Sequence, residues 1–440
     1  MSRRERNAAA KKPNVFRRIG NWFKNLKTWK KTVLIILLVI LIAAGVVFGY
    51  MYSKLNKIDK MNLDDRELSC VDIDGYINVL LLGVDARDMS DLKDCRTDAI
   101  MIASIKDETG EVHLTSIYRD TYLKMGGKNF YDKITHAFVN GGPKTTVKAI
   151  NQALDLNIDK FVVFNFKAVA DVVDGVGGIN LDIEDYEIQQ LNKYTIETAD
   201  NIGKKKYNLV EEAGKQKIEG VQAVSYGRIR YGVGDDFKRT ERMRIVLEKS
   251  LNKVKKMKFT KLDKLIDKIM PQVKTNLSNM DIITLAWKVK DFKIVGSASF
   301  PYEVSTGYLD GTSYVFPSDL VADVKRLHKE VFGRKHYEPS DKVYSIAGEI
   351  SSALGSSANH GSVNVDQITE NPQDTPSLET LPETLPEEQK PEDGNTTPPG
   401  GQVTPPAPPV NPQPEPQPQP QPQPQPEPQP QPQPQPQPEQ

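Results

Sequence analysis

Residues 32–52, TVLIILLVILIAAGVVFGYMY, run for twenty-one positions without a charged side chain. A helix rises 1.5 Å per residue, so such a run covers the ~30 Å hydrocarbon core of a bilayer. It is too long for the core of a cleaved secretory signal. Tyr50, Met51 and Tyr52 at its end suit a lipid–water interface better than a cleavage site. The run is therefore predicted to be a transmembrane signal anchor. Lys24, Lys27, Lys30 and Lys31 precede it, with Arg17 and Arg18 farther back, and place residues 1–31 in the cytoplasm. Everything after residue 52 is then expected outside the cell. The formal charges cancel, 58 basic against 58 acidic side chains, because a basic head is offset by an acidic tail. A cytoplasmic segment of about thirty residues with no helix-turn-helix pattern gives no reason to expect a nucleic-acid partner.

Residues 53–71 are polar and are expected to form a short stalk. Globular patterning begins in YINVLLLGVDARD, where an apolar run stops at Gly83. DAIMIASIKD and EVHLTSIYRD follow at strand length, GGPKTTVKAINQALDL reads as a helix and FVVFNF as another strand. KAVADVVDGVGGINLDI is an amphipathic helix closed by glycines that leads into a strand. Strands and helices in alternation over residues 72–335 predict a layered α/β domain. From about residue 351 the composition turns to Ser, Gly, Asn, Pro and Glu, and from Pro412 to repeated Pro-Gln and Pro-Glu pairs. Proline at every second position removes backbone donors and favours polyproline II, so residues 351–440 are expected to be a disordered Pro/Gln/Glu-rich tail.

Four groups of aspartate and arginine lie at predicted element ends. Asp85 and Arg87 follow one strand, Arg96 and Asp98 precede the next, and Arg119 and Asp120 end a third. The fourth is YGRIRYGVGDDFKRTERMR, with Arg228, Arg230, Arg239, Arg242 and Arg244 around Asp235 and Asp236. Ligand crevices in α/β sheets form at strand ends. Carboxylates with few histidines or cysteines nearby favour a hard ion such as Mg²⁺ or Mn²⁺. Guanidinium groups match phosphate oxygens through paired hydrogen bonds. The four groups together suit a pyrophosphate held by arginines and one metal. Arg228 and Arg230 would point about 200° apart on a regular helix. The helix beginning near Glu219 is therefore predicted to end by about Gly227, leaving both in extended backbone.

Other motifs fail. DGVGGIN follows a helix instead of opening one after a strand, and so is expected to be a helix-ending turn rather than a dinucleotide site. There is no Gly-x-Ser-x-Gly elbow in the folded part, and the five histidines lack zinc-ligand spacing. His136 is expected to be structural. Cys70 and Cys95 could pair outside the cell or remain thiols.

LLGVDARD, CRTDAIMI, SIYRDTYL, DKITHAFVNGG, DVVDGVGGI, EGVQAVSYGRIR and GDDFKRTERMR, in this order, resemble the LytR-CpsA-Psr family of cell-envelope proteins. The resemblance is strong over residues 77–260 and weaker toward 335. It implies a three-layer αβα domain with a central mixed sheet, and a phosphotransferase activity. The substrate would be a glycopolymer such as teichoic acid or capsule on a polyprenyl-pyrophosphate carrier, and the acceptor a peptidoglycan hydroxyl. Matched position by position, Asp85 and Asp98 would hold the metal, and Arg96, Arg119, Arg228 and Arg230 the pyrophosphate. Asp236 and Arg239 match the acid and arginine of the last motif, with Asp236 either the general base or a partner that orients Arg239. Three residues depart from the family pattern: Tyr118 where proline is usual, Thr135 in place of asparagine, and Met243 in place of glutamine. FVVFNFKAVADVVDGV could supply both core and a slot for the prenyl chain. A pyrophosphatase using water as acceptor, or a non-catalytic regulatory or scaffold protein of the envelope, are the alternatives.

Overall fold

A computed structural model describes residues 45, 48–50, 52–56, 58–61, 68, 71–230 and 235–364. Most of the predicted membrane span, the stalk residues 62–67 and the tail from residue 365 lie outside them. Among the described residues no helix is long and apolar enough to cross a membrane.

The chain forms β1 (Asp59–Lys60), β2 (Tyr76–Val84), β3 (Thr97–Lys106) and β4 (Glu111–Ile117), then a hairpin of β5 (Tyr122–Lys124) and β6 (Tyr131–Lys133). Next come α1 (Thr135–Val139), α2 (Gly142–Leu154), β7 (Lys160–Asn165) and α3 (Phe166–Gly175). β8 (Ile179–Ile183), α4 (Ile188–Ile202), β9 (Gly214–Ile218) and α5 (Gly220–Tyr226) follow. The second half comprises α6 (Asp235–Val254), α7 (Phe259–Ile269), β10 (Val273–Thr275), α8 (Asn279–Lys288) and β11 (Lys293–Phe300). It closes with β12 (Glu303–Leu309), β13 (Thr312–Pro317), α9 (Leu320–Phe332), α10 (Asp341–Ser356) and β14 (Ala358–Asn364).

Seven strands make one mixed sheet in the order β1-β10-β7-β2-β3-β4-β11. β2 runs parallel to β7 and β4 to β11, while β3 is antiparallel to both β2 and β4. The strands are apolar on both faces, which is what a sheet covered by helices on either side requires. Leu80, Leu82, Ile100 and Ile102 pack with α2, α9 and α10 on one face. Leu81, Ala103, Ile105 and Leu114 pack with Leu247 of α6 and Leu285 of α8 on the other. Successive strand residues thus serve opposite layers, and the predicted αβα sandwich is the fold observed. A smaller apolar cluster joins α3, α4 and α5 to the β8–β9 hairpin. Gly177 and Gly178, both at φ +79°, turn the chain from α3 into β8. DGVGGIN is the helix-ending turn that its context suggested.

Two expected boundaries need correction. The globular region does not end at 335: α10 buries Val343, Ile346 and Ile350 in the main core, and β14 pairs with β12. Asp155, wholly buried at the end of α2, accepts hydrogen bonds from Ser340 N and Oγ, both at 2.6 Å, and from Tyr337 Oη at 3.0 Å. That clamp docks the start of α10. The small residues after 351, taken as the start of the tail, finish a helix and an added strand. The expected stalk is also partly packed, since Leu55 and Leu68 are buried and β1 pairs with β10. Cys95 is not in a disulfide with any described residue, and Cys70 lies outside them.

Asp323 of α9 is 4% exposed and accepts hydrogen bonds from the backbone N–H groups of Tyr302 and Glu303, while its Oδ2 has no hydrogen-bond partner. Burial pushes its pKa up to about 8, with Asp319 and Glu303 adding repulsion and the two N–H groups pulling the other way. The folded chain keeps a proton here that the unfolded chain releases near pH ~4. The folded state therefore loses stability as pH rises from about 4 to 8. Asp323→Asn is expected to melt with wild type near pH ~4 and to melt above it increasingly as the pH of the thermal scan rises.

Candidate active site

The register of the sheet decides which charged groups meet. Val84, the last residue of β2, pairs with Asn165 at the end of β7 and with Thr97 at the start of β3. Ile117 at the end of β4 pairs with Phe300 at the end of β11. Asp85, Asp98 and Arg119 therefore emerge along one edge of the sheet, with Arg96 exposed beside them.

Asp98 is the centre of one group. Arg119 Nη1 donates to its Oδ1 at 2.6 Å, and Arg239 Nη2 donates to its backbone carbonyl at 3.4 Å. Arg239 comes from the first turns of α6 and is 4% exposed, whereas the Asp98 and Arg119 side chains keep 27% and 22% of their surface. Arg119 Nε also lies 3.6 Å from Asp120, which Lys133 approaches at 3.1 Å. The second, third and fourth charged groups thus converge, although up to 141 residues separate them in the chain.

Asp85 lies in a second group built on α4. Asn201 donates to Asp85 Oδ1 at 3.2 Å and accepts from Arg87 Nε at 2.5 Å. These side chains, with Asn165, Phe166 and Lys167, border a cavity of about 60 Å³. One helical turn earlier, Thr198 accepts from Arg228 Nη1 at 2.8 Å, and Glu197 lies 3.4 Å from Nη2. The Arg228 guanidinium sits over the rings of Phe166 and Tyr194, 5.4 and 4.9 Å from their centroids. Phe166, shared by the cavity and Arg228, joins the two features. As expected, α5 stops at Tyr226, but Arg228 is not in extended backbone: it lies in the turn that closes the helix, its N–H donating to Ser225 O at 2.9 Å, and Arg230 lies beyond it in irregular backbone, with Gln190 accepting from its N–H at 3.1 Å. Its side chain is exposed. Asp236 lies in the first turn of α6, with its side chain outside the described atoms.

Not every arginine of the fourth group serves this edge. Arg242 forms a buried pair with Glu187 at 2.8 Å, and Arg244 donates to Ser299 Oγ at 3.0 Å. His136 bonds through Nδ1 to Asp132 at 2.8 Å.

The LytR_cpsA_psr family model matches residues 45–330. The chain belongs to the LytR-CpsA-Psr family. It is 32% identical to the polyisoprenyl-teichoic acid–peptidoglycan teichoic acid transferase TagT of Bacillus subtilis, over 65% of this chain and 87% of that protein. The TagU transferase of Bacillus licheniformis is 26% identical over 73% of this chain and 95% of its own. The crystal structure of protein gbs0355 from Streptococcus agalactiae superposes with a TM-score of 0.50 at 25% identity, covering 60% of this chain and 90% of that one.

The three departures from the LytR-CpsA-Psr pattern all have packing roles. Tyr118, 1% exposed, meets Phe237 edge-on with centroids 4.6 Å apart, and so binds the residue before Arg119 to the α6 turn that carries Arg239. Thr135 donates from Oγ1 to Thr97 O at 2.8 Å and from its N–H to Arg119 O at 3.0 Å. It ties together the backbones that present Asp98 and Arg119. Met243 lies against Gly227, where an added Cβ would come within 3.0 Å of Met243 Cγ. It supports the backbone leading into Arg228.

Thr198 and Asn201 were not found from the sequence. Their spacing of three puts them on one face of α4, but nothing local says what that face meets.

Proposed function

We propose that this protein transfers a teichoic acid or similar glycopolymer from a polyprenyl-pyrophosphate carrier to a peptidoglycan hydroxyl at the outer face of the membrane. The observation that carries the proposal is the meeting of Arg119 and Arg239 on Asp98 at the sheet edge where β2 delivers Asp85. Two family relatives carrying that activity in their names support it.

Phosphoryl transfer is catalysed mainly by positioning and by neutralising charge on the phosphate oxygens. Arg119, Arg239 and Arg228 are held in place by protein contacts for that task, and exposed Arg96 and Arg230 extend the cationic edge. Asp85 follows β2 directly, and Asp98 is the second residue of the neighbouring β3, not a residue before it as the sequence suggested. Two carboxylates are the usual protein share for Mg²⁺, the remaining positions going to phosphate and water. The residues therefore fit Mg²⁺ or Mn²⁺, although no group of three or more candidate ligands occurs among the described residues. Bound there, the ion would neutralise charge on the pyrophosphate oxygens. Asp236, three residues before Arg239, is the candidate base. The acceptor oxygen attacks the phosphorus next to the polymer, the bridging P–O bond breaks, polyprenyl phosphate leaves, and the hydroxyl proton passes to Asp236.

Incubating the chain with polyprenyl-pyrophosphate-linked polymer, with and without peptidoglycan, tests this. Polymer is expected on the peptidoglycan, with polyprenyl phosphate released in step. Free polymer phosphate formed equally fast without peptidoglycan would make the protein a pyrophosphatase instead.

A further inference from the structure

Residues 249–293 contain twelve lysines, four aspartates and no arginine, glutamate or histidine. The net charge of this stretch is strongly positive in a chain whose total is zero. Three of the four aspartates are already matched by lysines outside the stretch: Lys54 forms ion pairs with Asp263 and with Asp267 of α7, and Lys160 lies 3.9 Å from Asp281. Lys256, Lys258, Lys261, Lys264, Lys290 and Lys293 are exposed. On α8, Trp287 is 80% exposed and Met280 is 51% exposed. Seven residues are almost two full helical turns, so these two side chains share a face. A tryptophan left this open in a folded domain asks for something to cover it.

The same two helices are fastened to the chain where it leaves the predicted membrane span. Asn279, the first residue of α8, bonds to the carbonyl of Tyr52 and to the Asn56 side chain. Lys54 holds α7, Lys60 donates to the carbonyl of Leu277, and Leu55 is buried. Trp287 lies ~12 Å along α8 from the Asn279 contact.

We infer that α7, α8 and their flanking lysines form a docking face that rests on the anionic lipid headgroups beside the protein's own anchor. The inference depends on residues 32–52 spanning the membrane. Each lysine near an anionic bilayer surface adds ~1 kcal/mol of attraction. Tryptophan is the side chain that settles at the headgroup level, with its ring among the first methylenes and its N–H in water. A soluble polyanion would engage the lysines without burying Trp287, so the tryptophan decides for the bilayer. The face also fixes how the domain stands. Lys288 pairs with Asp107, and Lys293 pairs in register with Glu111, at the end of the sheet opposite Asp98 and Arg119.

The chain has three tryptophans, so the full-length double variant Trp22→Phe/Trp29→Phe leaves Trp287 as the sole emitter. It is reconstituted in vesicles of phosphatidylglycerol brominated near the top of the acyl chains. Flotation with the vesicles reads the anchor, and quenching reads the face. Trp287 emission is expected to fall by about half or more. The quenching should weaken several-fold in phosphatidylcholine vesicles brominated at the same position, or when Lys290→Glu and Lys293→Glu are added. A chain that stays in the soluble fraction overturns the anchor and docking with it. Flotation with unquenched Trp287 overturns docking alone. Binding of soluble polyphosphate that Lys290→Glu and Lys293→Glu abolish, without bromolipid quenching of Trp287, would assign the face to a polyanion and also overturn it.

Discussion

Asp98→Asn is expected to lower polymer transfer by about 10²–10³-fold, the usual cost of removing one electrostatic contact from a transfer site, while the unfolding midpoint moves by only a few degrees. The two halves of this expectation come from different physics. The Asp98–Arg119 pair is a close one at 2.6 Å, but both side chains keep about a quarter of their surface in solvent. A screened pair of that kind contributes ~1 kcal/mol or less to folding. In the proposed reaction the same charge would aim the Arg119 fork and, with Asp85, would supply the protein ligands of the proposed metal ion. Asparagine keeps the shape and one acceptor but supplies no charge. Transfer rates across a Mg²⁺ titration, measured beside thermal melts, check both halves. Wild-type activity of the variant at limiting Mg²⁺, or a loss of stability as large as the loss of activity, would remove Asp98 from the site.

What was legible in the sequence were features whose geometry is local. β2, β3 and β4 declared themselves by apolar runs at strand length, and the end of α5 followed from the impossibility of aiming Arg228 and Arg230 together from a helix. Arg239 and Arg242 mark where local reasoning stops. Both are 4% exposed and both lie near the start of α6, yet one reaches Asp98 and the other pairs with Glu187, 55 residues earlier. Three positions separate them and turn their side chains toward different neighbours, and no local pattern names those neighbours. Tyr118 was visible as a departure from the family pattern, but its partner Phe237 could be known only from the fold. α10 was missed because small polar residues crowd its second half, although Val343, Ile346 and Ile350 carry the helical spacing that seats it.

Glu187→Gln is expected to cost about 3–5 kcal/mol of stability, because it leaves the Arg242 guanidinium buried beside a neutral amide. For a domain of this size that amounts to a fall of about 10 °C in the unfolding midpoint. The Arg242–Glu187 pair is enclosed, with side chains 5% and 3% exposed. Removing both charges should behave differently. In Glu187→Gln/Arg242→Met the amide can still accept from Glu184 N–H, as Glu187 Oε2 does at 3.0 Å, and methionine fills much of the arginine's volume. Most of the lost stability is expected to return. Activity should not return with it, since Arg242 Nη1 also donates to the carbonyl of Ile229 at 3.2 Å, and Ile229 separates Arg228 from Arg230. The double variant should therefore melt close to wild type and still transfer polymer poorly, with the loss falling on KM for the pyrophosphate donor. Thermal melts and donor titrations of the two variants decide it. A double variant with a wild-type KM would mean that Ile229 needs no hydrogen bond to hold Arg228 and Arg230, and that the buried pair serves the fold alone.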